Sequence, residues 1–370
     1  MKKESNIKAR SREFKVNGKL EKILWITLLW TLFSVFQFLV GYTTLIDFNV
    51  DLSNLNPVTF LKGSIFIGIV AGLLGGSLIV FFWENWLRTK SYSWSLLSIF
   101  GSYTILFFLV LTIGDLFSPE TQLDSPLIHL DSWKEAWSTL TSLSFIYNYL
   151  SWLTVVIFTL IALLVNDKYG PGVFKAFLLG KYFHPKREER IFMFLDLRGS
   201  TTIAEQLGER RYFNFLKDVF RDSTPEILKS KGEIYQYVGD EIVISWKKDA
   251  GTLNANCLQC FFDTQQRLLD NASYYRENYD GIVPEFKAGL HFGFVMVGEI
   301  GIVKRDIAYS GDVLNTGARI QSKCNELGVN ILISKNLLVA LGALPNPFKP
   351  REIGEIDLRG KQHSVTLYTV

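Results

Sequence analysis

The sequence predicts an α-helical membrane bundle followed by an α+β domain. Three observations carry this. Charge is segregated: residues 23–166 hold 12 charged side chains, whereas the other 226 residues hold 63. Four long runs in the first half contain no charged residue at all. From Arg190 onward, short apolar runs alternate with helical spacing.

Composition narrows the class before any element is placed. The chain has 370 residues, 48% of them hydrophobic, with 39 Lys+Arg against 36 Asp+Glu. That length corresponds to two or three domains of roughly 150 residues, and the apolar content excludes a disordered chain. Three cysteines exclude a disulfide scaffold. Four scattered histidines (His129, His184, His291, His363) speak against a histidine metal cluster. A net charge of +3 speaks against a dedicated nucleic-acid binder, so no nucleic-acid partner is expected.

Residues 1–22 form a basic leader with eight Lys and Arg. The membrane domain follows at 23–166, with spans at 23–46, 63–83, 91–114 and 138–166. Each run is long enough to cross a hydrocarbon core of about 30 Å, which takes about 20 helical residues. Four such runs in succession do not fit the buried helices of a soluble domain. The first run is too long, and its leader too polar, for a cleaved signal peptide. Flanking charges set the expected orientation. The leader is basic, Asp47 and Asp51 follow span one, and Arg88 and Lys90 follow span two. Asp115, Glu120, Asp124, Asp131 and Glu135 follow span three, and Lys168, Lys175, Lys181, Lys186 and Arg187 follow span four. This places a multi-pass chain in the cell inner (plasma) membrane, the lipid bilayer being one partner, with both ends cytoplasmic. Tryptophans, among them Trp25, Trp30, Trp83, Trp94 and Trp152, mostly lie near span ends and suggest an interfacial belt. Gly68, Gly72 and Gly76 mark a small-residue face, for packing either within the bundle or between two chains. No span interior holds an ionisable residue, which disfavours a transporter or channel with a regulatory tail.

Residues 167–189 read as a linker. Gly170-Pro171-Gly172 interrupts span four, and Val173, Phe174, Phe177 and Leu178 can form one apolar stripe. The segment is either a plain tether or an element that couples the two halves.

The second domain covers 190–370. Strand character appears at 191–196, 233–238, 242–246, 285–292, 294–297, 331–334, 352–357 and 364–370. Helical spacing appears after the 198–201 turn to Phe220, at 253–274 and at 312–327. The order β–α–β–β–α–β with additions is a ferredoxin-like α+β pattern. Asp196 ends the first strand, and Asp240 lies in the tight Gly239-Asp240-Glu241 segment between two strands. If that hairpin lies beside the first strand, the two carboxylates meet. Paired aspartates suit hard divalent cations, and two such ions are a common clamp for displacement at phosphorus. The turn Leu197–Thr201, with Ser200 and Thr201, offers backbone N–H groups to phosphate oxygens.

Five blocks, FMFLDLRGSTTIAEQLG (192–208), GEIYQYVGDEIVISW (232–246), GLHFGFVMVGEIG (289–301), YSGDVLNTGARIQ (309–321) and LRGKQHSVTLYTV (358–370), resemble the class III adenylate/guanylate (nucleotidyl) cyclase catalytic domain. The resemblance covers about half of the chain. It implies a class III cyclase fold and a homodimer that turns a nucleoside triphosphate into its 3′,5′-cyclic monophosphate and pyrophosphate for second-messenger signalling. It implies two divalent cations, Mg²⁺ or Mn²⁺, held by Asp196, Asp240 and the carbonyl of Leu197. It gives Asn315 the role of positioning the ribose and Arg319 that of stabilising the α-phosphate in the transition state. Arg359 or Lys361 would contact the outer phosphates. Aspartates from one subunit would meet Asn315 and Arg319 of the other.

Base recognition departs from the family's usual pairs. Adenylate cyclases usually carry Lys with Asp or Thr, and guanylate cyclases Glu with Cys; this chain has Gln236 and Ala308. Glutamine both donates and accepts, and alanine does neither. ATP is the first expectation, with a guanylate or pyrimidine nucleotide cyclase, or a non-catalytic cyclase-fold membrane sensor, as alternatives. Cys257 and Cys260 form a CxxC without a second pair and read as packing residues, and His291 reads as structural.

Overall fold

The computed structural model describes residues 2–51, 56–83, 92–117, 141–169, 180–303, 305–358 and 364–370. The chain separates into two units, Met1–Val165 and Asn166–Val370. Residues 52–55, 84–91, 118–140 and 170–179 lie outside the described residues, and so do Arg359 and Lys361.

The first unit is built of helices α1 (Lys2–Asp47), α2 (Pro57–Leu78), α3 (Tyr92–Phe117) and α4 (Leu143–Tyr169). Asn56 caps α2 by accepting from the Val58 and Thr59 N–H groups, with Pro57 in the first turn. A π-helical turn, Ile79–Trp83, continues α2. Among the described residues, three stretches are long and apolar enough to cross a membrane: Lys19–Asp47, Pro57–Trp83 and Leu143–Val165. In α3 the apolar stretch among the described residues is Leu97–Val110, shorter than a span.

The glycine face of α2 packs inside this unit. A methyl group on Gly68 would stand 2.6 Å from the Thr31 Cα, and one on Gly72 would stand 2.5 Å from the Thr27 Cα. Small residues here let α1 and α2 approach backbone to backbone. The tryptophans divide into two sets. Trp25 and Trp94 are exposed, as an interfacial belt requires. Trp30 and Trp83 are buried, contrary to that expectation. An indole N–H in an apolar interior needs an acceptor. Trp30 Nε1 donates to Thr159 Oγ1 (3.0 Å) and Trp83 Nε1 to Ser102 Oγ (2.9 Å).

The second unit is a mixed sheet with helices. Its elements are β1 (Lys186–Leu197), α5 (Ser200–Leu207), α6 (Glu209–Lys229), β2 (Glu233–Val238), β3 (Glu241–Lys247), α7 (Lys248–Thr252), α8 (Asn256–Asp270) and α9 (Ala272–Asn278). They continue as β4 (Phe286–Ile300), β5 (Asp306–Ser310), α10 (Asp312–Ser322), β6 (Ile331–Ser334), α11 (Lys335–Leu341), β7 (Arg351–Ile356) and β8 (Val365–Thr369). The strand order is β2-β3-β1-β4-β6-β8-β7, with β5 also paired to β4. β1 is antiparallel to both β3 and β4 and lies centrally. β1 starts at Lys186, so the last residues of the expected linker are strand.

Alternation along β1 sorts its side chains onto two faces. Ile191, Met193, Leu195 and Leu197 join the main core with Phe215, Leu258, Phe261 and Tyr275 of the helices. Phe192 and Phe194 enter a second cluster on the opposite face, with Val295 and Val313. Arg190 and Asp196 share that parity. α10 lies on this face because glycines clear the way. A methyl on Gly317 would stand 2.7 Å from the Phe194 ring, and one on Gly293 would stand 2.5 Å from Val313 Cγ2.

Several elements differ from the sequence expectation. The predicted helix 253–274 is two helices, α8 and α9. Asn254 and Ala255 carry positive φ just before α8, and the backbone leaves helical geometry at Asn271. The strands expected at 285–292 and 294–297 are one continuous β4. α10 stops at Ser322 rather than running to 327.

Candidate active site

β2 and β3 are joined by a two-residue turn, Gly239-Asp240, with Val238 facing Glu241. Gly239 has φ +61°, the left-handed conformation that such a hairpin turn requires. Asp196 at the end of β1 faces Glu241 across β3 and Lys287 across β4. Residues opposite one another in antiparallel strands project to the same face. The turn therefore delivers Asp240 and Glu241 to the end of β1 where Asp196 emerges.

Lys287 Nζ lies 3.0 Å from Asp196 Oδ2, and both side chains are largely buried. The same oxygen accepts a 2.7 Å hydrogen bond from Gln321 Nε2 of α10. Burial pushes the Asp196 carboxyl up; the Lys287 hydrogen bond pulls it down, and the negative charge of Asp240 raises it again. Glu241 is pushed up to about 7 by burial, then by Asp196 and Asp240, against the pull of Lys287. Burial and the charges of Asp240 and Asp196 also raise the Tyr212 phenol, which Ser200 hydrogen-bonds. Asp196, Asp240, Glu241, Lys287, Gln321, Tyr212 and Ser200 thus form one electrostatic neighbourhood.

Among the described residues, no group of three or more His, Cys, Asp or Glu is spaced to hold a metal ion. Two aspartates still fit a small hard cation. Mg²⁺ is commonly bound through one or two carboxylates plus waters and substrate phosphates. The mutual repulsion registered at Asp196 is what a divalent cation would relieve.

Lys287 opposes the upward shift that burial imposes on Asp196. Lys287→Met removes the cation that opposes burial and Asp240, so the Asp196 carboxyl is expected to titrate at higher pH. Carbon-13 NMR of labelled aspartate in metal-free protein reads this directly; an unchanged or lower midpoint would refute it.

The other predicted residues lie on β1, β2, β5, α5 and α10. Gln236 is exposed on β2, opposite Val243 and next to an irregularity in the β2–β3 register. Ala308 is on β5, opposite Gly298. Asn315 and Arg319 are on α10, the first exposed and the second half-buried. Neither forms a side-chain hydrogen bond or ion pair with another described residue. Thr201 is exposed at the start of α5, and Leu197 is buried at the end of β1. Cys257 and Cys260 are free and fully buried, and burial pushes the Cys260 thiol up to about 12, so neither is reactive. His291 is buried, with Nδ1 2.7 Å from Ser334 Oγ.

Sequence reasoning missed Lys287, Gln321 and Tyr212. Lys287 left a trace, a cation inside the apolar run FKAGLHFG. Gln321 left one too, lying on the same helix face as Val313 and Gly317.

Against known proteins, residues 184–370 match the family described as adenylate and guanylate cyclase catalytic domain. Over 206 residues the chain is 35% identical to adenylate cyclase 2 of Rhizobium meliloti (strain 1021), covering 56% of this chain and 56% of that protein. It is 29% identical over 184 residues to an adenylate cyclase of Anabaena cylindrica, covering 48% of this chain and 36% of that protein. The chain therefore spans only part of the length of these relatives. A bacterial light-regulated adenylyl cyclase of known structure shares the fold, with a TM-score of 0.52 at 19% identity, over 62% of this chain and 67% of that one.

Proposed function

Because the chain belongs to the adenylate and guanylate cyclase catalytic domain family, we propose that it is a membrane-anchored, homodimeric class III cyclase. It converts a nucleoside triphosphate, ATP first, to the 3′,5′-cyclic monophosphate and pyrophosphate. The observation that carries this reading is the meeting of Asp196 and Asp240 at the end of β1, with the Asn315 and Arg319 side chains on α10 making no hydrogen bond or ion pair among the described residues.

Each residue has a task in this reading. Asp196 and Asp240, with the Leu197 carbonyl, would hold two divalent cations, Mg²⁺ or Mn²⁺. Such ions, when bound, polarise the ribose 3′-oxygen and the α-phosphate. Gln321 and Lys287 hold the Asp196 carboxylate in place. The Ser200–Thr201 turn offers N–H groups to the phosphates. Asn315 orients the ribose, and Arg319 meets the charge that develops on the α-phosphate. A bond forms between the 3′-oxygen and the α-phosphorus, the bond to the pyrophosphate oxygen breaks, and the 3′-hydroxyl proton passes to water. Asn315 and Arg319 act on the nucleotide held at the aspartates of a second copy, so a monomer would be inactive.

Three membrane-length apolar helices support anchoring. The basic leader and the acidic residues Asp115, Glu120, Asp124, Asp131 and Glu135 after span three support four spans with both ends cytoplasmic. The β2-β3-β1-β4 strand order supports a ferredoxin-like core. Gln236 and Ala308 keep a second base open, because an unmatched pair discriminates weakly.

The test is one incubation of full-length protein with Mn²⁺ and equimolar ATP, GTP, CTP and UTP, read by mass spectrometry. One dominant cyclic nucleotide is expected. A folded dimer that yields none would instead favour a non-catalytic sensor.

A further inference from the structure

Arg190 is a cation in an apolar interior: its side chain is 1% exposed. An isolated buried charge costs several kcal/mol or more, and an apolar residue of similar volume often serves stability as well. The guanidinium makes three side-chain hydrogen bonds through Nε and Nη1. Nε donates to Glu188 Oε2 (2.9 Å), and Nη1 donates to Glu233 Oε2 (2.6 Å) and Ser245 Oγ (3.0 Å). Its carbon lies 4.8 Å from the centre of the Tyr309 ring. Glu188 is held in turn by the Tyr182 hydroxyl (3.1 Å).

These partners reach the two strands that carry the base-reading positions. Glu233 is on β2, three residues before Gln236. Tyr309 is on β5, next to Ala308. The β2–β3 register slips between Ile234 and Gln236, and the Tyr235 ring sits edge-on to Tyr309, with centroids 4.8 Å apart. β2 and β5 do not pair with each other, because β3, β1 and β4 lie between them. Arg190, on the central strand, grips both.

We infer that Arg190 is a specificity-positioning residue: by clamping Glu233 and the Tyr309–Tyr235 ring pair, it fixes the spacing between Gln236 and Ala308 at which the nucleobase is read. This rests on the cyclase reading above and names the device that tunes its substrate choice. A residue serving stability alone would move all ligands together; a positioning residue moves one base against another.

The experiment uses full-length wild type, Arg190→Met and Arg190→Lys. Dissociation constants are measured for 3′-deoxy-ATP, 3′-deoxy-GTP and inorganic tripolyphosphate. The deoxynucleotides lack the attacking hydroxyl, so binding is read apart from turnover. Arg190→Met is expected to change the 3′-deoxy-ATP to 3′-deoxy-GTP ratio about tenfold, the lower end of what one specificity contact contributes. Tripolyphosphate binding should stay near wild type, and Arg190→Lys should lie between the two. If Arg190→Met does not fold, Glu233→Gln and Tyr309→Leu take its place. Glu233 is half exposed, so its variant leaves the core intact. A ratio within twofold of wild type in the folded variants overturns the inference, as does an equal loss for tripolyphosphate. Wild type that binds both nucleotides but forms no cyclic product would count against the catalytic reading alone. Wild type that binds tripolyphosphate but neither nucleotide would overturn both.

Discussion

Asp240→Ala and Arg319→Ala are each expected to lower turnover by at least about 10²–10³-fold, the size of loss typical when one preorganised charge-stabilising group is removed. Neither should unfold the protein. Asp240 sits in a surface turn, and Arg319 has no intrachain side-chain partner among the described residues. The informative measurement is the co-expressed mixture. In a two-fold dimer each site would take its aspartates from one subunit and its arginine from the other. A heterodimer of the two variants then has one site with both defects and one site with none. Random pairing gives half heterodimers, so about a quarter of wild-type activity should return. Heterodimers captured through two affinity tags but still inactive would refute the shared site.

Gly289→Ala is expected to damage both stability and activity, although it adds a single methyl. That methyl would lie 2.3 Å from the Gln321 backbone nitrogen and 2.6 Å from its Cα. These are helix backbone atoms and cannot swing aside, so α10 must lift from β4. Overpacking of this kind costs about 1–3 kcal/mol or more. For a unit of this size, that lowers the melting temperature by about 2–12 °C. The lift also pulls Gln321 from Asp196 and displaces Arg319, and misplacement of a catalytic group by about 1 Å can cost about 10²-fold in rate. Gly239→Ala is the control: its space is open, and only the positive φ is strained. That penalty is about 1–2 kcal/mol. A Gly289→Ala protein with wild-type melting and turnover would contradict the packing described for α10.

The parts of this fold legible in the sequence are those where local chemistry and tertiary position coincide. Asp196 ends an apolar strand, and Gly239-Asp240 is a hairpin turn, so both aspartates announce themselves. Their convergence depends on β1 pairing with β3, which the strand order delivers. Long-range packing decided the rest. Gly293 reads locally as a break in a strand, yet β4 runs straight through it, and the missing side chain makes room for Val313. α11 is short, and the core residues it packs against are far away in the chain. Lys287 meets Asp196 only through a cross-strand pairing, and Gln321 only through the seating of α10. The buried Trp30 and Trp83 have the same cause: position along a helix says how deep a residue lies, not which neighbour it meets.

The hydrogen bond from Gln321 to Asp196 has a consequence for how the two halves of a dimer communicate. α10 carries Arg319, directed at the aspartates of the partner subunit in the proposed arrangement, and Gln321, fastened to Asp196 of its own chain. In that arrangement one helix would reach both reaction centres. Nucleotide pulling on Arg319 in one centre would shift the grip on the carboxylate that serves the other. Substrate saturation of such a dimer should depart from a simple hyperbola, and the one-site heterodimer should restore it.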